Sequence, residues 1–90
     1  MVSAEQDSIL VRWDKNPEAD IESYILYRSK NGGSFSKIKA LGLEETRYTD
    51  HDLKPESRYR YRMIAEDKDG LKSDPVESDS IPSPIVKSEG

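Results

Sequence analysis

The chain contains no cysteine among its 90 residues, and it has a single histidine, His51. The absence of cysteine excludes a disulfide scaffold and a thiolate metal site, although it does not assign a compartment. No apolar segment approaches the roughly 20 residues that a membrane helix needs. The first residues also lack the charged and apolar regions of a signal peptide. We therefore expect no cofactor, no metal and no membrane insertion.

The chain is also poor in the large aliphatic residues Leu, Ile, Val and Phe, which places it near the edge of disordered compositions. Ninety residues form a single domain, and the formal net charge is -4 with 36% charged residues. An acidic balance argues against a nucleic-acid partner. The ordering of the apolar residues argues for a folded domain, which we expect to be a monomer.

The clearest pattern in the chain lies between Leu53 and Gly70. Beyond a proline turn, apolar and charged side chains alternate with a period of two, which is typical of a half-buried antiparallel strand. The predicted inward face carries Tyr59, Tyr61, Met63 and Ala65. The predicted outward face carries Arg58, Arg60, Arg62 and Glu66.

Other short apolar segments predict further strands at residues 8–13, 23–29, 35–41, 46–50 and 76–81. The strand at 23–29 has consecutive apolar residues, which indicates a central position in its sheet, and Ile21 is expected in the loop before it. Glycine-containing turns at 30–34 and 67–70 separate strands. Two prolines, Pro82 and Pro84, are expected to end the sheet. No helical period of useful length occurs, so the chain is predicted to be an all-β sandwich.

Five motifs with defined spacing lie along these strands. They are Ile9-x-Val11-x-Trp13, Asp20-Ile21-x-x-Tyr24-x-Leu26-Tyr27-Arg28, Gly33-x-Phe35-x-Lys37-Ile38, Thr46-x-Tyr48-Thr49-Asp50, and Leu53-x-Pro55-x-x-x-Tyr59-x-Tyr61-x-Met63-x-Ala65-x-Asp67-x-x-Gly70. With these motifs the chain resembles a fibronectin type III domain over about Ser8 to Ser80, particularly the versions in bacterial surface and secreted proteins.

The resemblance implies an immunoglobulin-like β-sandwich of seven antiparallel strands, with A, B and E facing C, C′, F and G. Strand A is expected to be short or truncated, because only Met1 to Asp7 precede strand B. The domain is predicted over residues 1–81, followed by a flexible tail or linker at 82–90. Tyr59 is expected to bury its ring and bond its hydroxyl to backbone near Leu53. The predicted structural core comprises Trp13, Tyr24, Leu26, Leu53, Tyr59, Tyr61, Met63 and Ala65.

Two stretches contain residue types that occur at catalytic or metal sites, but neither is predicted to form such a site. His51 lies between two aspartates, but no nucleophile signature accompanies it. Asp67, Asp69 and Gly70 match part of a calcium loop, yet its first and twelfth positions are Ala65 and Val76, which cannot coordinate through their side chains. We therefore predict a hairpin turn at 67–70 and no enzymatic activity.

The outward face of the strand at 58–66 is the candidate partner-binding surface. Its predicted members are Tyr27, Lys37, Lys39, Arg58, Arg60 and Arg62. One interpretation is a basic and aromatic surface that meets an anionic partner or a sugar. The other, which the sequence favours, is that the guanidinium groups cover Tyr27 and are neutralised by Glu77 or Asp79.

The resemblance implies a non-catalytic module that acts as a spacer, orienting or protein-interaction domain in a larger extracellular or cell-envelope protein. Its partners are then neighbouring domains of the parent chain or another protein. One alternative is a ligand-binding module that uses the basic face for an anionic partner or polysaccharide. Another is an accessory domain of a carbohydrate-degrading enzyme.

Overall fold

Strands packed in two antiparallel sheets form the fold in the computed structural model, which describes residues 2–14, 21–42 and 44–85. The first sheet has the order β1 (Val2–Ala4), β2 (Ile9–Arg12) and β5 (Arg47–Asp50). The second has the order β4 (Ser36–Gly42), β3 (Ile21–Lys30), β6 (Arg58–Asp67) and β7 (Val76–Glu77), and β8 (Ile81–Pro82) also pairs with β6. The predicted sandwich of A, B and E against C, C′, F and G is confirmed, and β1 is indeed a short strand A.

The strand predicted at 76–81 is divided into β7 and β8, which both pair with β6. The interruption occurs at Ser78, whose amide donates to the Tyr61 carbonyl at 2.8 Å while its hydroxyl accepts from the Tyr61 amide at 2.9 Å. Ser73 makes the same pair of bonds with Ala65, at 2.8 and 2.9 Å. These two serines hold the last segment of the sandwich to β6 where a regular ladder is missing. We call this segment, residues 73–82 with β7 and β8, strand G.

Strand β3 begins at Ile21, which the sequence had assigned to a loop. It pairs with β4 on one side and β6 on the other, so its predicted central position is confirmed. The reversal after β3 uses Asn31 and Gly32, whose φ angles are 53° and 76°. A positive φ at two consecutive residues explains why an Asn-Gly pair occupies this turn.

Both sheets contribute side chains to one core. The alternation predicted for β6 is confirmed, because Tyr59, Tyr61, Met63 and Ala65 are buried. The other buried apolar members of this cluster are Ile9, Val11, Ile21, Tyr24, Leu26, Leu41 and Leu53.

Residues 82–85 remain in contact with the sandwich. Pro82 belongs to β8, the Ser83 amide donates to the Ser57 carbonyl at 2.7 Å, and Ile85 packs against the core. The predicted tail therefore includes residues that lie on the sandwich, while residues 86–90 of that prediction fall outside the described ranges. None of the described residues belongs to a helix long and apolar enough to cross a bilayer.

Candidate functional site

Three arginines on the outer face of β6, at positions 58, 60 and 62, form what we call the arginine row. Arg58 is exposed and binds one residue of strand G. Its Nε donates to the Ser80 hydroxyl at 3.0 Å, and its Nη2 donates to the Ser80 carbonyl at 3.2 Å. The first arginine is thus held by neutral acceptors.

The other two arginines share one carboxylate. Arg60 Nη2 lies 3.0 Å from Glu77 Oε1, and Arg62 Nη2 lies 2.9 Å from Glu77 Oε2. Arg60 Nε also donates to the Ser78 carbonyl, and Arg62 Nε donates to Glu77. Glu77 therefore partly neutralises the row, which agrees with the interpretation that the sequence favoured. Among the contacts of the described residues, Asp79 forms no ion pair with the row.

The aromatic ring in cation–π contact with the row is that of Phe35, and no such contact of Tyr27 occurs among the described residues. The Arg62 guanidinium carbon lies 4.1 Å from the Phe35 ring centroid, within cation–π distance. Tyr27 of β3 lies opposite Arg62 in the ladder with β6 and opposite Lys37 in the ladder with β4. The sequence named Phe35 as part of a motif but did not indicate this contact, because Phe35 comes from the stretch before β4.

Lys39 is separated from the other members of the predicted surface by a register shift between Leu26 and Tyr27. Lys37 pairs with Tyr27, but Lys39 pairs with the buried Leu26. Because opposite residues of an antiparallel pair share a face, Lys39 takes an inward position on an edge strand while remaining exposed. The candidate surface is therefore the arginine row with Tyr27, Phe35 and Lys37.

A second polar cluster, which the sequence did not indicate, joins the two sheets at the core. Asp50 of β5 has only 2% of its side chain exposed and accepts two bonds from Arg28 Nη1, at 3.0 and 2.7 Å. The Tyr61 hydroxyl donates to the same carboxylate at 2.7 Å. Arg28 also approaches the exposed Asp52 at 3.6 Å, and its guanidinium lies 5.4 Å from the Tyr59 ring centroid. The cluster connects β3, β5 and β6.

Burial and hydrogen bonding set the protonation of this cluster. Burial raises the pKa of Tyr61 above its ordinary value of 10.0, and the hydrogen bond to Asp50 acts in the same direction. Burial alone would lower the pKa of Arg28, but the hydrogen bond and negative charge of Asp50 raise it. Tyr61 therefore stays a neutral donor and Arg28 stays a cation. The signal in the sequence was the alternation of Tyr24, Leu26 and Arg28, which puts Arg28 on the inward face.

The Tyr59 hydroxyl lies where the resemblance placed it. It accepts the Lys54 amide at 2.8 Å, one residue beyond Leu53, and the Tyr59 residue is 1% exposed. The bond is partly buried, so the Lys54 amide without this partner would lose a hydrogen bond that water replaces only in part. The contact thus ties the loop before β6 to the core.

Replacing Tyr59 with phenylalanine is expected to lower the free energy of unfolding by about 1–3 kcal/mol, because the Lys54 amide loses its acceptor. Urea denaturation followed by tryptophan fluorescence measures the change. Tyr27→Phe is the matched control, since no hydrogen bond of the Tyr27 hydroxyl occurs among the described residues, and its effect is expected within about 0.5 kcal/mol. Equal effects of the two substitutions would contradict the role given to the hydroxyl.

The predicted core residues lie together, with Trp13 at the margin. Trp13 is partly buried against the cluster, and its ring centroid lies 6.1 Å from that of Tyr24. Its indole nitrogen is buried without a hydrogen-bond partner among the described residues. The remaining predicted members are all buried, namely Tyr24, Leu26, Leu53, Tyr59, Tyr61, Met63 and Ala65.

The other polar stretches have structural roles. His51 is exposed in the loop after β5. Asp67 Oδ1 accepts the amides of Asp69 and Leu71, both at 2.9 Å, and Gly70 has φ 80°, which confirms the predicted turn. Within the described ranges, no group of three or more His, Cys, Asp or Glu side chains is arranged to hold a metal ion.

Comparison with solved structures shows the same fold in domains of larger proteins. The twitchin kinase region from C. elegans matches with a TM-score of 0.76 and 24% identity over 91% of this chain and 15% of that one. A pectate lyase from Erwinia chrysanthemi, in complex with tetragalacturonic acid, matches with a TM-score of 0.73 and 19% identity over 90% of this chain and 26% of that one. This chain thus spans about a quarter or less of either of these two proteins.

A match of comparable length is an Fn3-like protein from Clostridium thermocellum, with a TM-score of 0.72 and 22% identity over 97% of this chain and 90% of that one. No curated protein matches the sequence. The family described as "Fibronectin type III domain" matches residues 1–79. The two-sheet topology and the Tyr59 hydroxyl bond agree with this match, and the chain belongs to the fibronectin type III family.

Proposed function

We propose that the chain is a non-catalytic module that spaces or orients neighbouring domains of a larger protein. The observation that carries this proposal is the direction in which the chain enters and leaves the sandwich. Strand β1 runs antiparallel to β2, and strand G runs antiparallel to β6. A segment before Val2 and a segment after Pro82 would then extend toward opposite ends.

The relation between the two sheets supports this argument. The end of β2 meets the beginning of β3 through the Trp13 and Tyr24 rings, and the end of β5 meets the beginning of β6 through Asp50 and Tyr61. Strands β2 and β6 therefore run in the same direction. The cluster of Arg28, Asp50 and Tyr61 fixes one sheet against the other. The module could therefore hold its neighbours in the parent chain at a constant distance and orientation.

The matched solved structures support an accessory position. The kinase region and the pectate lyase each contain a similar domain as a minor part of their length. By the same reasoning, enzymatic chemistry of the parent protein would reside in another domain. An extracellular or cell-envelope location belongs to the proposal and rests on the resemblance to domains of bacterial surface and secreted proteins.

The proposal requires that the sandwich behave as one rigid body, which spin labels can measure. The chain has no cysteine, so Ser34→Cys and Asp69→Cys place two labels at exposed sites. Ser34 lies in the connection between β3 and β4, beside the start of β6, and Asp69 lies in the turn after the end of β6. Ten extended residues span about 33 Å, and we expect one narrow distance distribution near that length. Two populated distances, in a protein whose unfolding midpoint is unchanged by the labels, would contradict a spacing role.

A further inference from the structure

The arginine row leaves the same edge of each guanidinium unused. In Arg58, Arg60 and Arg62 the Nε and Nη2 atoms bind strand G. Within the described ranges, the Nη1 atom of none of the three makes a hydrogen bond. A guanidinium carries five N–H donors in a fixed plane, so each arginine keeps a free pair of donors on Nη1.

The side chains that carry these donors are partly exposed and held in place. The side chains of Arg60 and Arg62 are 46% and 32% exposed. Their bonds to Glu77 and to the backbone restrict the rotamers, and Phe35 supports the face of Arg62. Part of the entropy cost of binding an anion is therefore already met by the fold.

The charge around the row is positive although the whole protein is acidic. The row carries three guanidinium groups, and two of them, Arg60 and Arg62, share the one carboxylate of Glu77. Tyr27 lies opposite Arg62 on β3, and Lys37 of β4 lies opposite Tyr27, which adds a further positive charge on this face. Glu66 lies farther along β6 and Asp79 lies in strand G, but neither pairs with the row among the contacts of the described residues. The free charge therefore favours an anionic occupant.

The spacing of the row selects among anionic chains. Alternate residues of a strand stand about 6.6–6.8 Å apart on one face, which sets the interval between the three positions from which the arginine side chains project. Side chains at every second residue of an extended polypeptide have the same interval. We propose that the arginine row docks an extended acidic polypeptide that carries a carboxylate at every second residue. The inference extends the proposed positioning role by naming the chemistry of one partner.

Two labelled peptides of equal charge test the proposal by fluorescence anisotropy at low ionic strength. One alternates four Glu with four Thr, and the other has four consecutive Glu followed by four Thr. We expect the alternating peptide to bind about five- to tenfold more tightly, because three exposed pairs form at once. Arg60→Gln is expected to weaken its binding about threefold or more and to reduce the preference between the peptides.

Arg47→Gln is the matched control, because Arg47 is exposed on β5 of the other sheet. It is expected to leave both affinities unchanged, and thermal unfolding verifies that each variant is folded. Equal binding of the two peptides, or an equal loss in Arg47→Gln, would overturn the proposal. Binding of polygalacturonate without binding of either peptide would overturn it as well, and would assign the row to an acidic polysaccharide. None of these results would alter the distance between spin labels, so the spacing role is tested separately.

Discussion

Replacing Asp50 with alanine is expected to lower the free energy of unfolding by about 3–5 kcal/mol, because removing one partner leaves an uncompensated charge in the interior. Asp50 is 2% exposed and is the shared acceptor for the Arg28 guanidinium and the Tyr61 hydroxyl. The substitution leaves both donors without that acceptor. Arg28 retains 19% exposure of its side chain, so partial hydration places the effect toward the lower end of the range.

Chemical denaturation measures the change, and Asp52→Ala is the matched control. The Asp52 carboxylate lies 3.6 Å from the same guanidinium but is 86% exposed. An exposed pair contributes about 0–1 kcal/mol, so the control is expected to remain near the wild type. A similar loss in both variants would show that the burial of Asp50 does not determine the energy of this cluster.

Replacing Leu26 with alanine is expected to cost about 2–5 kcal/mol, from lost transfer energy and from the cavity left behind. Leu26 is 0% exposed in the central strand of the larger sheet and lies opposite Met63 of β6. Neighbours on β4 and β6 are fixed by their ladders, so the cavity cannot close by a simple shift. The unfolding midpoint and the free energy from the same denaturation curves report the effect.

The matched control is Leu71→Ala, which removes the same atoms from a side chain that is 67% exposed. We expect a change within about 0.5 kcal/mol for this surface site. The difference between the free energies of unfolding of the two variants measures the contribution of burial, because both substitutions remove the same atoms. If Leu71→Ala cost as much as Leu26→Ala, Leu26 would not be the centre of the core.

The elements that the sequence predicted well depend on neighbours along the chain. The alternation from Tyr59 to Ala65 sets the two faces of β6 regardless of the rest of the fold, since the side-chain period of a strand is two. The reversal at Asn31 and Gly32 is likewise encoded by residues that accept positive φ. Such features require no knowledge of which strands meet in space.

The features that the sequence missed depend on contacts between distant segments. Arg28 and Asp50 are 22 residues apart, and neither residue alone indicates a buried ion pair. The register shift that moves Lys39 is set by how β4 fits against β3, and it leaves no local signal. The cation–π contact of Arg62 joins β6 to Phe35 across the sheet in the same way. Periodicity along the chain therefore indicates where the strands lie, whereas these side-chain contacts depend on the assembled fold.

The two serines that hold strand G affect how much the length of the chain can vary at this edge of the larger sheet. Ser73 and Ser78 each bind one residue of β6 through both amide and hydroxyl, so each anchor is complete within a single residue. Between the anchors only Val76 and Glu77 continue the ladder with β6, as the short strand β7. Insertions or deletions there would leave the pairing of β3 with β6 intact. The fold thus confines tolerance of length changes to the edge that also supplies Glu77, which allows that edge to diversify around an unchanged core.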